Sequence, residues 1–384
     1  MQPDPRNSVL YLFNSGFSGK YLRNTLDTLC HPMGATNPYS YSTVAVPGGS
    51  AVNVDAANLS QVLGLPVNFP VVIVFIDRYG PSSNPAYVYH PLRRGFLASP
   101  PRQDNGRLNV RVKLDQLCVA TNAGSFSASV AAALVPAPRG APHFAGSPEN
   151  RADGNYAVVG PDLTLQNGMP VVSDDWTSLV GRLSATKALG STPTKAVIFA
   201  RTRFTPDDNP AVDVVPAFRE HEQEKYLVER GQSYRLRVTY SFPFNAIAPL
   251  APAQGAVEFG GNLDSTSSKN VAIDAIAREV DFVFATADHV ERRTSYATIF
   301  FVQPPGATEF ISPRIDIPLR ITGRRWDVVV TVIAVLIFVA GATITGLDLS
   351  KGVTPALVVV KLIAGILQAG AVLALFSVRG NKPL

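Results

Sequence analysis

The chain has 384 residues, of which 46% are hydrophobic and 16% are charged, and its formal net charge is +5. This balance excludes a disordered chain and a highly charged nucleic-acid binder, so nucleic acid is not expected as a partner. The length allows two or three domains. The excess positive charge comes from scattered arginine pairs, such as Arg93 and Arg94. Two cysteines, Cys30 and Cys118, are too few for a disulfide framework, so free buried thiols are expected.

The segment NSGFSGKY at 14–21 follows a strand-like apolar run and precedes a helical pattern of leucines at 22, 26 and 29. A phosphate-binding P-loop needs glycine where Asn14 stands and Ser or Thr where Tyr21 stands, so nucleotide hydrolysis here is not expected. A helix N-terminus nevertheless exposes amides that attract anions. The segment is therefore a candidate anion or ligand loop. Its residues are Ser15, Gly16, Ser18, Gly19 and Lys20.

An internal similarity relates two parts of the chain. Residues 78–94 read RYGPSSNPAYVYHPLRR and residues 203–219 read RFTPDDNPAVDVVPAFR, and seven positions are identical. Each copy follows a continuous apolar run that is typical of a buried strand. These runs lie at 71–75 and 196–200, possible helices precede them at 55–63 and 174–189, and similar strands follow at 110–113 and 236–239. We interpret the copies as related β-rich units.

Between and after these units, the composition predicts a linker and a third β region. Residues 131–154 are rich in Ala, Pro and Gly and show no periodicity, as expected of a linker. Alternating strands are predicted at 280–285, 297–302 and 314–321, which favours a β-sandwich that either stands alone or completes the second unit. Pro318 indicates that the last of them is an edge strand.

Two apolar segments predict a transmembrane hairpin near the end of the chain. Residues 328–347 form 20 residues without a charge, which is long enough to cross a hydrocarbon layer of about 30 Å. Residues 355–378 form the second segment after a short turn. Basic residues flank both ends of the hairpin, so the N-terminal region and the C-terminus are expected in the cytoplasm. The predicted membrane-interface anchors are Arg324, Arg325, Trp326 and Arg379.

The second apolar segment carries small residues and a charge that predict helix association. Small residues let helices approach closely, and a glutamine can hydrogen-bond across the contact. Lys361 lies inside the span and can pair with Asp348 in the turn. The small residues fit either association between molecules or packing against the partner helix of the same hairpin. They are Gly365, Gln368, Ala369 and Gly370.

The sequence shows no local catalytic or metal motif. The five histidines are widely spaced, and none lies within four residues of another, as a helical metal pair would need. Neither a G-x-S-x-G nor an H-E-x-x-H motif occurs. A non-enzymatic protein without a cofactor is therefore expected.

The predicted fold class is mainly β, or β-rich α+β. It comprises tandem related units and a β-sandwich-like segment, followed by the C-terminal two-helix transmembrane hairpin. The predicted boundaries are 1–130 for repeat unit 1, 131–154 for the linker, 155–245 for repeat unit 2, 246–323 for the sandwich-like segment and 324–384 for the hairpin.

This architecture favours a recognition protein anchored in the lipid bilayer of the bacterial inner (cytoplasmic) membrane. Its cytoplasmic region would bind a ligand or a protein partner and drive the hairpins to assemble as a homo-oligomer, by analogy with membrane-disrupting defence effectors. One alternative is a passive membrane-tethered scaffold that recruits a partner protein. The other is a membrane-bound enzyme, which would show a polar pocket with perturbed acids or histidines between the two units.

Overall fold

The structure, a computed structural model, describes most of the chain before residue 323. The described residues are 7–15, 19–43, 56–79, 86–134, 156–164, 171–173, 175–192, 194–217, 225–241, 253–273, 278–287, 294–322 and 363. They form an N-terminal sheet covered by helices, followed by a β-sandwich.

The N-terminal part of the described chain is built on an eight-stranded mixed sheet. Strands β1 and β3 run parallel at its centre, and the other pairs are antiparallel. Both parallel strands are continuous apolar runs because both faces of the sheet are covered. The strands are β1 (Ser8–Ser15), β2 (Thr36–Ser42), β3 (Pro70–Tyr79), β4 (Ala86–Leu97), β5 (Arg102–Asp104), β6 (Arg107–Ala120), β7 (Tyr156–Pro161) and β8 (Val171–Ser173). The order of the main path is β2-β6-β4-β3-β1-β7.

Helices cover both faces of this sheet. The helices are α1 (Gly19–Cys30), α2 (Ala56–Leu63), α3 (Ala123–Ala133) and α4 (Trp176–Ser184). Helices α1, α2 and α4 share one core with the sheet, and α3 packs on the opposite face through Phe126 and Val130. The leucines at 22, 26 and 29 of α1 are buried, which confirms the helical pattern predicted for them.

The residues after 194 form a β-sandwich with a single core. One sheet has the order β10-β13-β17-β15, and the other has the order β11-β12-β20-β18-β14-β16. The strands are β9 (Lys195–Val197), β10 (Phe199–Pro206), β11 (Pro216–Ala217), β12 (Lys225–Glu229), β13 (Ser233–Ser241), β14 (Ala253–Phe259), β15 (Leu263–Ser265), β16 (Asn270–Ile273), β17 (Arg278–Thr286), β18 (Thr294–Val302), β19 (Glu309–Ile311) and β20 (Ile315–Thr322). Strands β9 and β19 pair with each other and place Val197 and Ile311 in the N-terminal core.

Pro318 lies in an interior strand, so the prediction of an edge strand is wrong. Strand β20 lies between β12 and β18. Its pairing with β12 begins only at Leu319, so at Pro318 the strand has β18 as its partner among the described strands. A proline, which lacks an N–H, is tolerated where one side of the strand makes no ladder hydrogen bonds.

The description of the region before the predicted hairpin as tandem related units is corrected. The described chain is β-rich, as predicted, but its halves differ in topology. Strand β3 pairs with the next strand, β4, whereas β10 pairs with the distant strand β13. The second unit and the sandwich-like segment share one core. Shared proline and asparagine residues are typical of turns in general, and turn residues alone do not specify the pairing of strands.

The transmembrane hairpin is also corrected. In the part of the chain that the structure describes, four helices occur, and none is long and apolar enough to cross a membrane. The prediction used segment length and the absence of charge, which a span requires but which do not demonstrate a helix. Apart from Ile363, the segment 324–384 lies outside the described residues. The predicted association, charge and anchor residues lie there: Arg324, Arg325, Trp326, Asp348, Lys361, Gly365, Gln368, Ala369, Gly370 and Arg379.

Candidate functional site: a polar cleft at the end of helix α1

A polar cleft lies where the end of α1 meets the β-sandwich. Cavity 1, of about 300 Å³, is lined by parts of β4, β6 and β10. Cavity 2, of about 630 Å³, is lined by parts of β2, β6, β18 and β20. His31, the residue after α1, lines both cavities.

Helix α1 reaches this position because it is shared by two cores. Its leucines at 22, 26 and 29 belong to the core of the N-terminal sheet, whereas Cys30 belongs to the core of the sandwich. The turn that follows contains Gly34 at a φ of +85°, in the left-handed region that favours glycine. A Cβ atom on Gly34 would also lie 2.9 Å from Val215 Cγ1, so the sandwich packs directly on this turn.

Arg93 is a buried cation at the floor of cavity 1. Its side chain is 4% exposed, and its Nε donates to Asp115 O (2.6 Å) while Nη1 donates to Thr28 O (2.9 Å) and His31 O (2.7 Å). Among the described residues, these partners are all neutral carbonyl groups. Burial lowers the pKa of Arg93 to about 10. The guanidinium has therefore lost solvent without gaining a carboxylate partner from this part of the chain.

A β-bulge in β4 places Arg93 at this point. The register between β4 and β6 shifts between Arg93 and Gly95. A bulge redirects a side chain that would otherwise follow the alternation of the strand. A Cβ atom on Gly95 would lie 2.5 Å from Lys113 O, so the two backbones approach too closely for another residue.

Two further arginines line cavity 1 from strand β10. Arg203 Nε donates to Asp213 Oδ1 (2.7 Å). Arg201 is half-buried and lies close enough to lower the pKa of Arg93 further. The cavity lining includes three arginines and two aspartates, Asp115 and Asp213, which gives a net formal charge of +1 with His31 neutral.

Asp27 lies in the last turn of α1, and His31 is the first residue after the helix. Both side chains have shifted pKa values. His31 Nδ1 lies 2.6 Å from Asp27 O, and a carbonyl oxygen can only accept, so Nδ1 carries the proton. Burial lowers the pKa of His31, which leaves Nε2 as an acceptor in the neutral ring. Burial also raises the pKa of Asp27 to about 6, and its Oδ1 accepts from Arg314 N (3.3 Å).

Cavity 2 combines aromatic rings with charges of both signs. Tyr296 is 44% exposed, and its hydroxyl donates to Glu258 Oε1 (3.1 Å). Asp316 accepts from Thr298 Oγ1 (2.7 Å) and, more weakly, from the Nε of Arg314 (3.4 Å). Tyr226 and Arg111 also line this cavity. Its lining thus offers donors, acceptors and ring faces, whereas cavity 1 offers mainly positive charge.

The candidate loop predicted from the sequence lies at the opposite end of α1. Ser15 ends β1, and Gly19 and Lys20 begin α1, whereas Gly16 and Ser18 lie outside the described residues. The helix has 12 residues, so its two ends are about 17 Å apart. The structure therefore does not bring this loop to the cavities.

No local pattern in the sequence marks the cleft as a whole, because its residues come from positions 27 to 318. The one local signal was the arginine pair at 93 and 94. These side chains separate, since Arg93 reaches the end of α1 whereas Arg94 donates to Asp162 Oδ2 (2.8 Å) on the other side of the sheet. The enzyme alternative, which predicts a polar pocket with perturbed acids or histidines between the two units, stays a prediction.

Within the described ranges, no group of three or more His, Cys, Asp and Glu side chains could hold a metal ion. Both Cys30 and Cys118 are buried and free, as predicted. No protein family model matches the chain, and no curated protein matches it.

Proposed function

We propose that this protein is a recognition protein that binds a small anionic ligand in cavity 1. The observation that supports the proposal is the buried guanidinium of Arg93, whose described partners are neutral carbonyls. An uncompensated buried ion costs several kcal/mol. The C-terminal end of α1 contributes a partial negative charge of about 0.5, which offsets only part of this cost. An anion in cavity 1 would offset the rest of the cost of burying the Arg93 charge.

The other arginines make cavity 1 suited to a phosphate or carboxylate group. A guanidinium presents a rigid fork of N–H donors that matches these anions in a bidentate geometry. Asp213 holds Arg203 in place, so its donors need little reordering when a ligand binds. A volume of about 300 Å³ lies at the small end of the range for ligand sites, which favours a compact anionic group.

Ligand binding at this position would connect the two cores of the described chain. Arg93 belongs to the N-terminal sheet, and Arg201 and Arg203 belong to the sandwich. An anion held by both sides would stabilise their contact around the end of α1. We propose that this contact is the signal that a protein partner or a second copy of the chain recognises.

The experiment is a thermal unfolding series on the full chain with pyrophosphate, against sodium chloride at the same ionic strength. A ligand at about 100 times its Kd stabilises by about 2.7 kcal/mol, which raises the Tm by several degrees. We expect this rise in the wild type and in Arg102→Gln, a variant of an exposed arginine outside both cavities. We expect it to be lost in Arg201→Gln. Equal shifts in all three proteins would contradict the proposal.

An enzyme is the second candidate function, and His31 is the observation that favours it. Its neutral ring has Nε2 as an acceptor, and such a group beside an arginine-lined cavity can act as a general base in phosphoester cleavage. The test is hydrolysis of bis(p-nitrophenyl) phosphate by the wild type and by His31→Gln. Hydrolysis by the wild type alone would favour the enzyme, and no hydrolysis by either would favour recognition.

A further inference from the structure

We infer that the anionic ligand is a nucleotide, with its phosphate in cavity 1 and its base in cavity 2. This inference rests on the proposed function, because it assigns the second part of the ligand that cavity 1 would hold. It follows from the position of cavity 2, from its volume and from the chemical groups that line it.

The two cavities are neighbours that share His31. Cavity 1 contacts the turn after α1 through Pro32 and Met33, and cavity 2 contacts the same turn through Ala35. A ligand that occupied both cavities would therefore lie against His31. Cavity 2 has about twice the volume of cavity 1, so the larger, uncharged part of such a ligand fits there.

Cavity 2 offers an exposed tyrosine on which a planar ring can stack. Tyr226 and Tyr296 line it together with prolines 38, 216 and 318, but Tyr226 is only 3% exposed, so the accessible ring is that of Tyr296. Tyr296 is 44% exposed although it is a large aromatic residue, and its hydroxyl is held by Glu258. Any of the bases can stack on an exposed aromatic side chain of this kind, because every base has a π-face.

The polar groups of cavity 2 match the edges of a base. A carboxylate such as that of Glu258 accepts from the amino groups of bases, and an arginine such as Arg111 donates to their ring nitrogens and carbonyl oxygens. The other carboxylate, Asp316, is already engaged by Thr298. The charges of Arg111, Arg314, Glu258 and Asp316 balance, so cavity 2 suits an uncharged ring rather than a second anion.

The experiment compares ligands that differ by one part, titrated calorimetrically into the full chain. The probes are pyrophosphate, ribose 5-phosphate, GMP and AMP. We expect at least one of the two nucleotides to bind at least about tenfold more tightly than ribose 5-phosphate, a difference of one decade in Kd. We expect Tyr296→Ala and Glu258→Gln to remove this advantage and to leave pyrophosphate binding unchanged.

The control variant is Phe96→Ala, which removes another exposed aromatic ring that lines neither cavity. It should bind all four probes as the wild type does. If ribose 5-phosphate binds as tightly as both nucleotides, or if Tyr296→Ala keeps the full advantage, the nucleotide inference is overturned and the anion site stands. If none of the four probes binds the wild type, the proposed function itself is overturned.

Discussion

Arg93 donates a hydrogen bond of 2.7 Å from Nη1 to the carbonyl oxygen of His31, and this bond joins strand β4 to the residue that lines both cavities. The same nitrogen donates to Thr28 O, so one side chain satisfies two carbonyls at the end of α1. Helix ends need such partners because their last carbonyl groups have none within the helix. Arg93 therefore has a structural role toward α1 and an electrostatic role toward cavity 1.

Replacing Arg93 should destabilise the fold. In Arg93→Met, three carbonyl groups at the end of α1 and in β6 lose their donor, while the desolvation cost of the buried guanidinium is also removed, so we expect a net loss of about 1–3 kcal/mol in the free energy of unfolding. Arg93→Lys should lose less stability than Arg93→Met, because an ammonium group still donates hydrogen bonds. It should lose some, because it cannot reproduce the fork of donors of a guanidinium. Urea unfolding followed by circular dichroism measures both. A loss below about 0.5 kcal/mol in Arg93→Met would show that the bonds around α1 contribute little.

Gly95 should tolerate no side chain. A Cβ atom there would lie 2.5 Å from Lys113 O and 2.7 Å from Val112 Cγ1, so Gly95→Ala must move one strand and should cost about 1–3 kcal/mol. The matched control is Gly181→Ala, in helix α4, where a Cβ atom meets nothing within 4 Å. That variant should gain about 0.5–1 kcal/mol from helix propensity. Equal unfolding free energies for the two variants would contradict the close strand contact at the bulge.

Asp27 should make the native state less stable at neutral pH than at pH 4. Its pKa of about 6 in the native state lies above its unfolded value of about 3.9, so the native state binds more protons between these limits. Preferential protonation of Asp27 in the native state stabilises the fold. This stabilisation is fully present below pH 4 and is lost as the pH rises through 6. Asp27→Asn keeps the neutral form, so it should match the wild type at pH 4 and exceed it by about 2 kcal/mol at pH 7.5. Parallel stability profiles of the two proteins from pH 4 to 7.5 would refute this.

His90 should make the native state less stable at pH 4 than at neutral pH, which is opposite to the effect of Asp27. It is 6% exposed, its Nε2 has no hydrogen-bond partner among the described residues, and burial lowers its pKa to about 4. The unfolded value is about 6.5, so the native state binds fewer protons and stability falls as the pH drops from 6.5 to 4. His90→Leu should lack this loss, which amounts to about 3 kcal/mol in the wild type. The measurement is the urea midpoint at pH 7 and pH 4, and an unchanged difference in the variant would rule out His90 as the cause.

The local parts of this fold could be predicted from the sequence because hydrophobic periodicity is a local signal. The leucine spacing correctly predicted helix α1, and the apolar run at 71–75 correctly predicted the buried strand β3. The helix predicted at 174–189 ends earlier, at Ser184, because Ala185 N donates to Arg182 O and Thr186 N donates to Leu183 O, the three-residue spacing of a tighter turn.

The cleft could not be predicted, since it depends on contacts between distant residues. The bulge that redirects Arg93 arises from the pairing of β4 with β6, and Gly95 alone, as an isolated glycine in a strand, does not tell which side chain it redirects or toward what. The burial that shifts the pKa of Asp27 comes from the packing of α1 between two cores. The similarity between 78–94 and 203–219 was a local signal too, and it misled the fold prediction because the strands before the two copies, β3 and β10, have different partners.

The most direct measurement is the anomalous scattering of tungstate in crystals of the full chain. Tungstate is a tetrahedral dianion that can replace phosphate, and its strong scattering locates it without ambiguity about water. We predict a peak in cavity 1 within hydrogen-bond distance of the guanidinium groups of Arg93 and Arg201, which disappears in Arg201→Gln. A cavity that stays empty at saturating tungstate, or peaks confined to other surfaces, would contradict the proposal that this cleft binds an anion.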